Sequence, residues 1–240
     1  MGAEQSGRAR DQNQQVQSPP AAAIDKGAAG VKWEAYRVES YDLPKVADEI
    51  FRRATANGDR DDAFAVFDID DTLLDTSGDH TEADPVGVSV GIDVFRLAVR
   101  HGVRAVCITG RADTAFTRSA TEDSFRRLGL LDADGRVPEI HYTPPDRRAS
   151  LACIGGWKCQ KRGEIPGEIV LLVGDNWIDL VCWQDNGTEA FLDLVHLDDD
   201  EYYVLLFPDF PGRIGLKMPT GGGSAKRQRV ATMLAAEGRG

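Results

Sequence analysis

The sequence predicts an α/β fold, a parallel sheet with helices packed on both faces. Three observations carry that reading. Short apolar runs of strand length alternate with stretches whose apolar residues recur at helical spacing. The runs are continuous in hydrophobicity, as strands buried on both faces are. Three of them also end in polar clusters, where such a sheet places its ligand crevice.

Taken in order, residues 43–55 carry Val46, Ile50 and Ala54 along one helical stripe. Residues 62–69, DAFAVFDI, have the length and composition of a buried strand. The next helix is predicted over 90–101, with Ile92, Phe95 and Val99 on one face and Gly102 as its stop. A strand follows at 103–108, then a helix over 112–128 that ends at Gly129. A short strand at 139–142 precedes Pro144 and Pro145. The pattern continues with a helix at 157–164, a strand at 168–173, a helix at 177–184, and strands at 190–194 and 202–207.

Outside this alternation, residues 1–32 are rich in Gln, Ala, Gly, Ser and Pro without an aromatic residue, and are expected to be disordered. Residues 221–240 open on a glycine run and read as a flexible tail with a short helix at 230–236. Residues 33–220 then form one domain, consistent with 240 residues of which 42% are hydrophobic.

Charge narrows the function classes. The chain has 28 basic and 39 acidic side chains, a net charge of −11, which argues against coating nucleic acid or anionic membrane by bulk charge. No apolar run approaches the ~18 residues of a membrane span, and the first twenty lack the apolar centre of a signal peptide. The expected location is cytoplasmic. Met1 to Ser6 match the short N-myristoylation pattern at Gly2, read here as a chance match. Cys107, Cys153, Cys159 and Cys182 show no zinc spacing and are expected to be reduced thiols, with Cys107 a small buried hydrophobe.

The chemistry-bearing clusters lie at the strand ends. The first strand runs directly into Asp68-Ile69-Asp70-Asp71-Thr72. Three carboxylates in four residues repel one another, and a hard divalent cation such as Mg²⁺ supplies the compensation. The alternative is an acidic surface turn; an EF-hand calcium loop does not fit the stretch. After the second strand come Thr109-Gly110-Arg111, a hydroxyl and backbone amides suited to a phosphate oxygen, although Thr-Gly turns are common. The third strand ends in Gly174-Asp175-Asn176-Trp177-Ile178-Asp179, whose two acids stand one helical turn apart. Lys158 and Lys161 lie three apart on one predicted helix, with Arg162 adjacent. Trp157, Trp177 and Tyr142 are read as core or rim aromatics rather than base-stacking residues.

In this order, DIDDT at 68–72, TGR at 109–111, the lysine of 158 or 161 and GDNWID at 174–179 resemble the four motifs of the haloacid dehalogenase superfamily of phosphohydrolases. The stretches TGRADTAFTRSATEDSFRRLGL, WKCQKRGEI and VGDNWIDL are similar to the plant acid phosphatase and bacterial outer-membrane acid phosphatase branch. That branch shows a Lys-Ser-x-x-Arg segment before Gly-Asp-Gln-Trp-x-Asp-Leu. Here Cys159 replaces the serine, Asn176 the glutamine, and Lys161 is set against the arginine.

The resemblance implies a Rossmann-like fold without a large cap and Mg²⁺-dependent hydrolysis of phosphomonoesters through an aspartyl-phosphate. Asp68 would be the nucleophile, Asp70 the general acid and base, and Thr109 and Lys158 the residues on the phosphoryl group. Asp68, Asp70 (through its backbone carbonyl), Asp175 and Asp179 would serve the metal, and Thr72, Gly110, Arg111 and Lys161 the substrate. Small phosphomonoesters or nucleotides are the expected partners. Alternatives are a 5′-nucleotidase of the same fold, an inactive storage or phosphate-binding relative, and a metal-binding interaction module. The sequence assigns no oligomeric state.

Overall fold

A computed structural model describes residues 34–56, 62–76, 86–182, 200–207 and 213–219. The expected tails, the strand at 190–194, the helix at 230–236 and Gly2 lie outside the described residues. The strands are β1 (Glu34–Val38), β2 (Ala63–Phe67), β3 (Leu74–Asp75), β4 (Val86–Gly87), β5 (Arg104–Ala112), β6 (Glu139–Thr143), β7 (Glu168–Gly174), β8 (Tyr202–Leu206) and β9 (Ile214–Lys217). The helices are α1 (Leu43–Ala54), α2 (Ser89–His101), α3 (Ala115–Leu128) and α4 (Leu151–Gly163).

The main sheet has the order β1-β8-β9-β7-β2-β5-β6. From β9 to β6 all neighbours pair in parallel, while β8 runs antiparallel to both β1 and β9. β3 and β4 form a separate two-stranded ribbon. β2 therefore lies between β7 and β5, so the three polar clusters that are far apart in sequence meet at one edge.

Side-chain alternation explains why β2 is so apolar. Ala63, Ala65 and Phe67 pack on one face with Phe51, Phe95 and Phe125 of α1, α2 and α3. Phe64 and Val66 pack on the other face with Trp157 of α4 and Trp177. Covered on both sides, all five residues of β2 are buried. The register of β2 on β7 shifts between Phe64 and Ala65, and Val170 and Leu171 consequently belong to the same apolar cluster. Gly102 (φ 76°) and Gly129 (φ 65°) end α2 and α3 in the left-handed conformation expected of helix stops.

The departures have local causes. β5 continues through Ala112, paired with Thr143, so α3 begins at Ala115 with Thr114 accepting from the Thr117 amide at 3.1 Å. α4 begins six residues earlier than predicted, because Ser150 caps it by accepting from the Cys153 amide at 3.1 Å. The helix predicted over 177–184 is instead a single 3₁₀ turn, Trp177–Asp179. Asn176 and Asp179 cap one another's backbone there, and Arg162 takes the carbonyls of Ile178, Asp179 and Val181. Those acceptors are thus engaged by a side chain and not by a further helical turn. β9 and the β3–β4 ribbon, of four and two residues a strand, are too short to have shown a period in the sequence, and β1 (EAYRV) mixes charged and apolar residues without a continuous apolar run.

Candidate active site

The site is built at the carboxyl ends of β2, β5 and β7. Asp68 follows β2 and remains tied to the sheet, its amide donating to Val173 O at 2.9 Å. The chain then leaves the extended conformation at once. The amides of Leu73 and Leu74 both donate to Ile69 O at 2.9 Å, closing a tight turn. Asp71 sits in it at φ 57°, a left-handed conformation that an aspartate tolerates. Its carboxylate accepts from the Thr76 amide (2.9 Å) and hydroxyl (2.7 Å), pinning the end of the turn.

Asp175 and Asp179 come from the end of β7 and the 3₁₀ turn. Carboxylate oxygens of Asp68, Asp175 and Asp179 lie within 4.8 Å of one another, and all three residues are buried. Asp179 reaches this position because Gly174 has no side chain: a Cβ there would lie 2.3 Å from Asp179 Cβ and 2.8 Å from its Oδ2. Asp179 Oδ2 accepts from the Asn176 amide at 3.0 Å, leaving Oδ1 to face α4. Gly174→Ala is therefore expected to displace Asp179 and destabilise the fold by about 1–3 kcal/mol, the usual cost of overpacking. A denaturant melt showing no loss would refute the close approach.

Lys158, only 4% exposed, supplies the cation of the cluster. Its Nζ donates to Asp68 Oδ1 at 2.7 Å and to Asp179 Oδ1 at 2.5 Å. Burial alone would push this ammonium down, but Asp179 and Asp68 outweigh it and hold it above the ordinary lysine range. Burial pushes the Asp68 carboxyl well above the carboxylate range; Lys158 opposes this, and Asp179, Asp175 and Asp70 reinforce it. One ammonium among three carboxylates leaves a hard, oxygen-rich site with uncompensated negative charge. That donor set fits Mg²⁺.

The other predicted residues are distributed unevenly. Thr109, fully buried at the end of the apolar part of β5, accepts the Arg111 amide on Oγ1 at 3.2 Å, so its hydroxyl hydrogen is directed elsewhere. Gly110 presents its carbonyl to Arg148 Nε at 3.1 Å. Asp70 does not join the carboxylate trio. Arg111 holds it instead, through Nε (3.0 Å) and Nη2 (2.7 Å) to Oδ1, and is braced in turn by Thr121 Oγ1 at 2.8 Å. Thr72 is fully buried under α2, its carbonyl 1.8 Å from where a Cβ on Gly91 would sit. Lys161 points away from the trio and pairs with Glu164 at 2.6 Å. Tyr142, Trp157 and Trp177 are all buried.

Two features escaped the sequence reading. Counted from Lys158, the arginine of a Lys-Ser-x-x-Arg segment falls at Arg162, not at Lys161. Arg162 is buried against the 178–182 segment, whereas Lys161 is half-buried on another side of α4. The thiol expectation is also corrected: Cys159 and Cys182 form a disulfide, their Cα atoms 5.5 Å apart. β7 and the 3₁₀ turn bring Cys182 back beside α4, which a sequence separation of 23 conceals. With that pair oxidised, the cysteines no longer argue for a reducing compartment. Cys107 is a buried free thiol, as its apolar setting implied, and burial pushes it up in pKa; Cys153 is free and exposed.

No family model and no curated protein matches this chain. Among solved structures it is similar to the Class C acid phosphatase from Bacillus anthracis with tungstate bound, at 16% identity over 80% of this chain and 87% of that one, with a TM-score of 0.52. The chain shares that protein's fold. A second structure of the Class C acid phosphatase from Bacillus anthracis matches at 20% identity over 65% of this chain and 69% of that one, with a TM-score of 0.49. The Rossmann-like architecture inferred from the motifs is thus the observed one, a mostly parallel sheet between two helical layers. Among the described residues no helix is long and apolar enough to cross a membrane.

Proposed function

We propose that this chain is a Mg²⁺-dependent phosphomonoester hydrolase acting through an aspartyl-phosphate on Asp68. The observation that carries the reading is the buried trio of Asp68, Asp175 and Asp179 with the Lys158 ammonium on two of them, at the carboxyl ends of the adjacent strands β2 and β7. Such a cluster is costly to bury unless its charge is used. The fold neighbour with tungstate bound, an acid phosphatase, adds support from a protein of the same architecture.

In this reading an Asp68 oxygen attacks phosphorus in line with the ester oxygen, forming the acyl phosphate and releasing the alcohol. Asp70 gives the leaving oxygen its proton and then takes one from the water that cleaves the acyl phosphate. Both bonds from Arg111 go to Oδ1 of Asp70, so the carboxylate is fixed in orientation while Oδ2 exchanges the proton. An acid at this position favours hydrolysis over a long-lived phosphoenzyme. Lys158 and the Thr109 hydroxyl would stabilise charge on the phosphoryl oxygens. Asp68, Asp175 and the Asp70 backbone carbonyl would hold Mg²⁺, with Asp179 supporting them. When bound, the ion supplies charge neutralisation between nucleophile and phosphate.

Between the tight turn and β5, the described elements are only the small β3–β4 ribbon and α2. Small phosphomonoesters, nucleotides among them, are accordingly the proposed substrates. The test is hydrolysis of an aryl phosphate followed by a panel of nucleotides and sugar phosphates. Activity should disappear in chelator and return with Mg²⁺. Full activity in chelator would overturn the metal assignment, and none under any condition would favour a binding protein on the same fold.

A further inference from the structure

One face of α4 is fastened to the five residues that follow the start of the 3₁₀ turn. Lys158, Cys159 and Arg162 lie on that face at helical spacing. Lys158 grips the Asp179 carboxylate (2.5 Å), and the next residue, Cys159, is covalently joined to Cys182, three positions after Asp179. Arg162 completes the attachment. Its Nη1 donates to the carbonyls of Ile178 (3.1 Å) and Asp179 (2.7 Å), and its Nη2 to that of Val181 (3.3 Å) and to Cys182 Sγ (3.3 Å). A guanidinium with its donors spread over three main-chain acceptors fixes the path of that backbone.

These bonds flank the Lys158–Asp179 contact on both sides, and β7 holds the other end of the same segment in the sheet. Leu180 and Val181 are seated by their amides on Trp177 O (3.1 and 3.0 Å) and by burial in the core, and the clamp bonds add the tie from this segment to α4.

We propose that the Cys159–Cys182 disulfide, together with Arg162, is a positioning clamp that holds the Lys158 ammonium between Asp68 and Asp179, so that opening it slows turnover without unfolding the domain. The proposal rests on the hydrolase reading above for its kinetic consequence alone. A dithiol reductant opens the clamp by delivering two electrons and two protons, leaving two thiols on the protein and the reductant as a cyclic disulfide. The ammonium would then keep its ion pairs and the Arg162 bonds to the neighbouring backbone but lose the covalent tie beside it, and the lost geometry would fall on the step in which it faces the phosphoryl group.

The experiment compares oxidised full-length protein, the same protein after a dithiol, and the Cys159→Ser/Cys182→Ser double variant. Two readouts are taken, aryl phosphate kinetics and the rate of lysine acylation followed residue by residue by mass spectrometry. In the oxidised protein Lys158 and Lys217, both buried, should label slowly and half-buried Lys161 quickly. Opening the clamp should bring Lys158 towards the rate of Lys161 while Lys217, buried in β9, stays protected. It should also lower kcat by about tenfold with KM nearly unchanged. The double variant should match the reduced protein and ignore further reductant.

Unchanged protection and kcat would overturn the proposal. So would equal exposure of Lys158 and Lys217, since it would make the disulfide a staple for the whole fold. If the oxidised protein hydrolyses no phosphomonoester, the functional reading fails, and the labelling still decides whether the clamp positions Lys158.

Discussion

Asp68→Asn should reduce phosphatase turnover by at least about a thousandfold, about 4 kcal/mol of barrier, because the amide lacks the charge to attack phosphorus. The folded protein should tolerate the change. Asp68 lies among Asp70, Asp175 and Asp179, and its carboxyl is held well above the ordinary range, chiefly by burial. Removing its charge relieves repulsion, while Lys158 retains Asp179 at 2.5 Å. The melting temperature should therefore move little, which separates a chemical defect from unfolding. Retention of more than a few per cent of wild-type rate would exclude Asp68 as nucleophile. The companion variant Asp70→Asn should form the acyl phosphate and fail to hydrolyse it, and mass spectrometry that finds no trapped adduct would count against the role of Asp70 as base.

Lys158→Arg should be the next most damaging substitution, with a loss of at least about a hundredfold in turnover, or 2.7 kcal/mol. The pocket around Nζ is closed: Lys158 is 4% exposed and touches two carboxylate oxygens within 2.7 Å. A planar guanidinium is wider than an ammonium and would displace either the carboxylates or the phosphoryl group. Lys161→Arg should cost less than about tenfold, since an arginine on that side of α4 still reaches Glu164 across a pair worth little in either form. Steady-state kinetics on the two variants decide the matter, and the reverse ranking would move the phosphoryl-facing role to Lys161.

The order of elements and the presence of carboxylates at strand ends were legible in the chain itself. Ala63–Phe67 and Glu168–Gly174 are too continuously apolar for anything but doubly covered strands. A run of acids directly after the first of them implies a site at the sheet edge. The glycine stops at Gly102 and Gly129 marked the ends of α2 and α3 for the same reason in sequence and structure, because a left-handed residue is easiest without a Cβ.

Tertiary structure alone decided which groups meet. Lys158 and Lys161 both lie on the predicted helix, and only the packing of α4 against the sheet and the 178–182 segment turns Lys158 inward while Lys161 meets Glu164. Asp70 is expected as general acid and base from its place two residues after Asp68, but that Arg111 of β5 holds its carboxylate at 2.7 Å shows only in the packed structure. The helix predicted over 177–184 is cut to one turn because Arg162, 16 positions from Ile178, occupies the carbonyls that a longer helix would have used. The same segment carries Cys182 to Cys159, which no spacing rule relates. Local pattern sets each element's type because burial and backbone geometry act over a few residues. The direction of a side chain and the partner it finds depend on how distant elements pack, and that is not written in any one stretch of the chain.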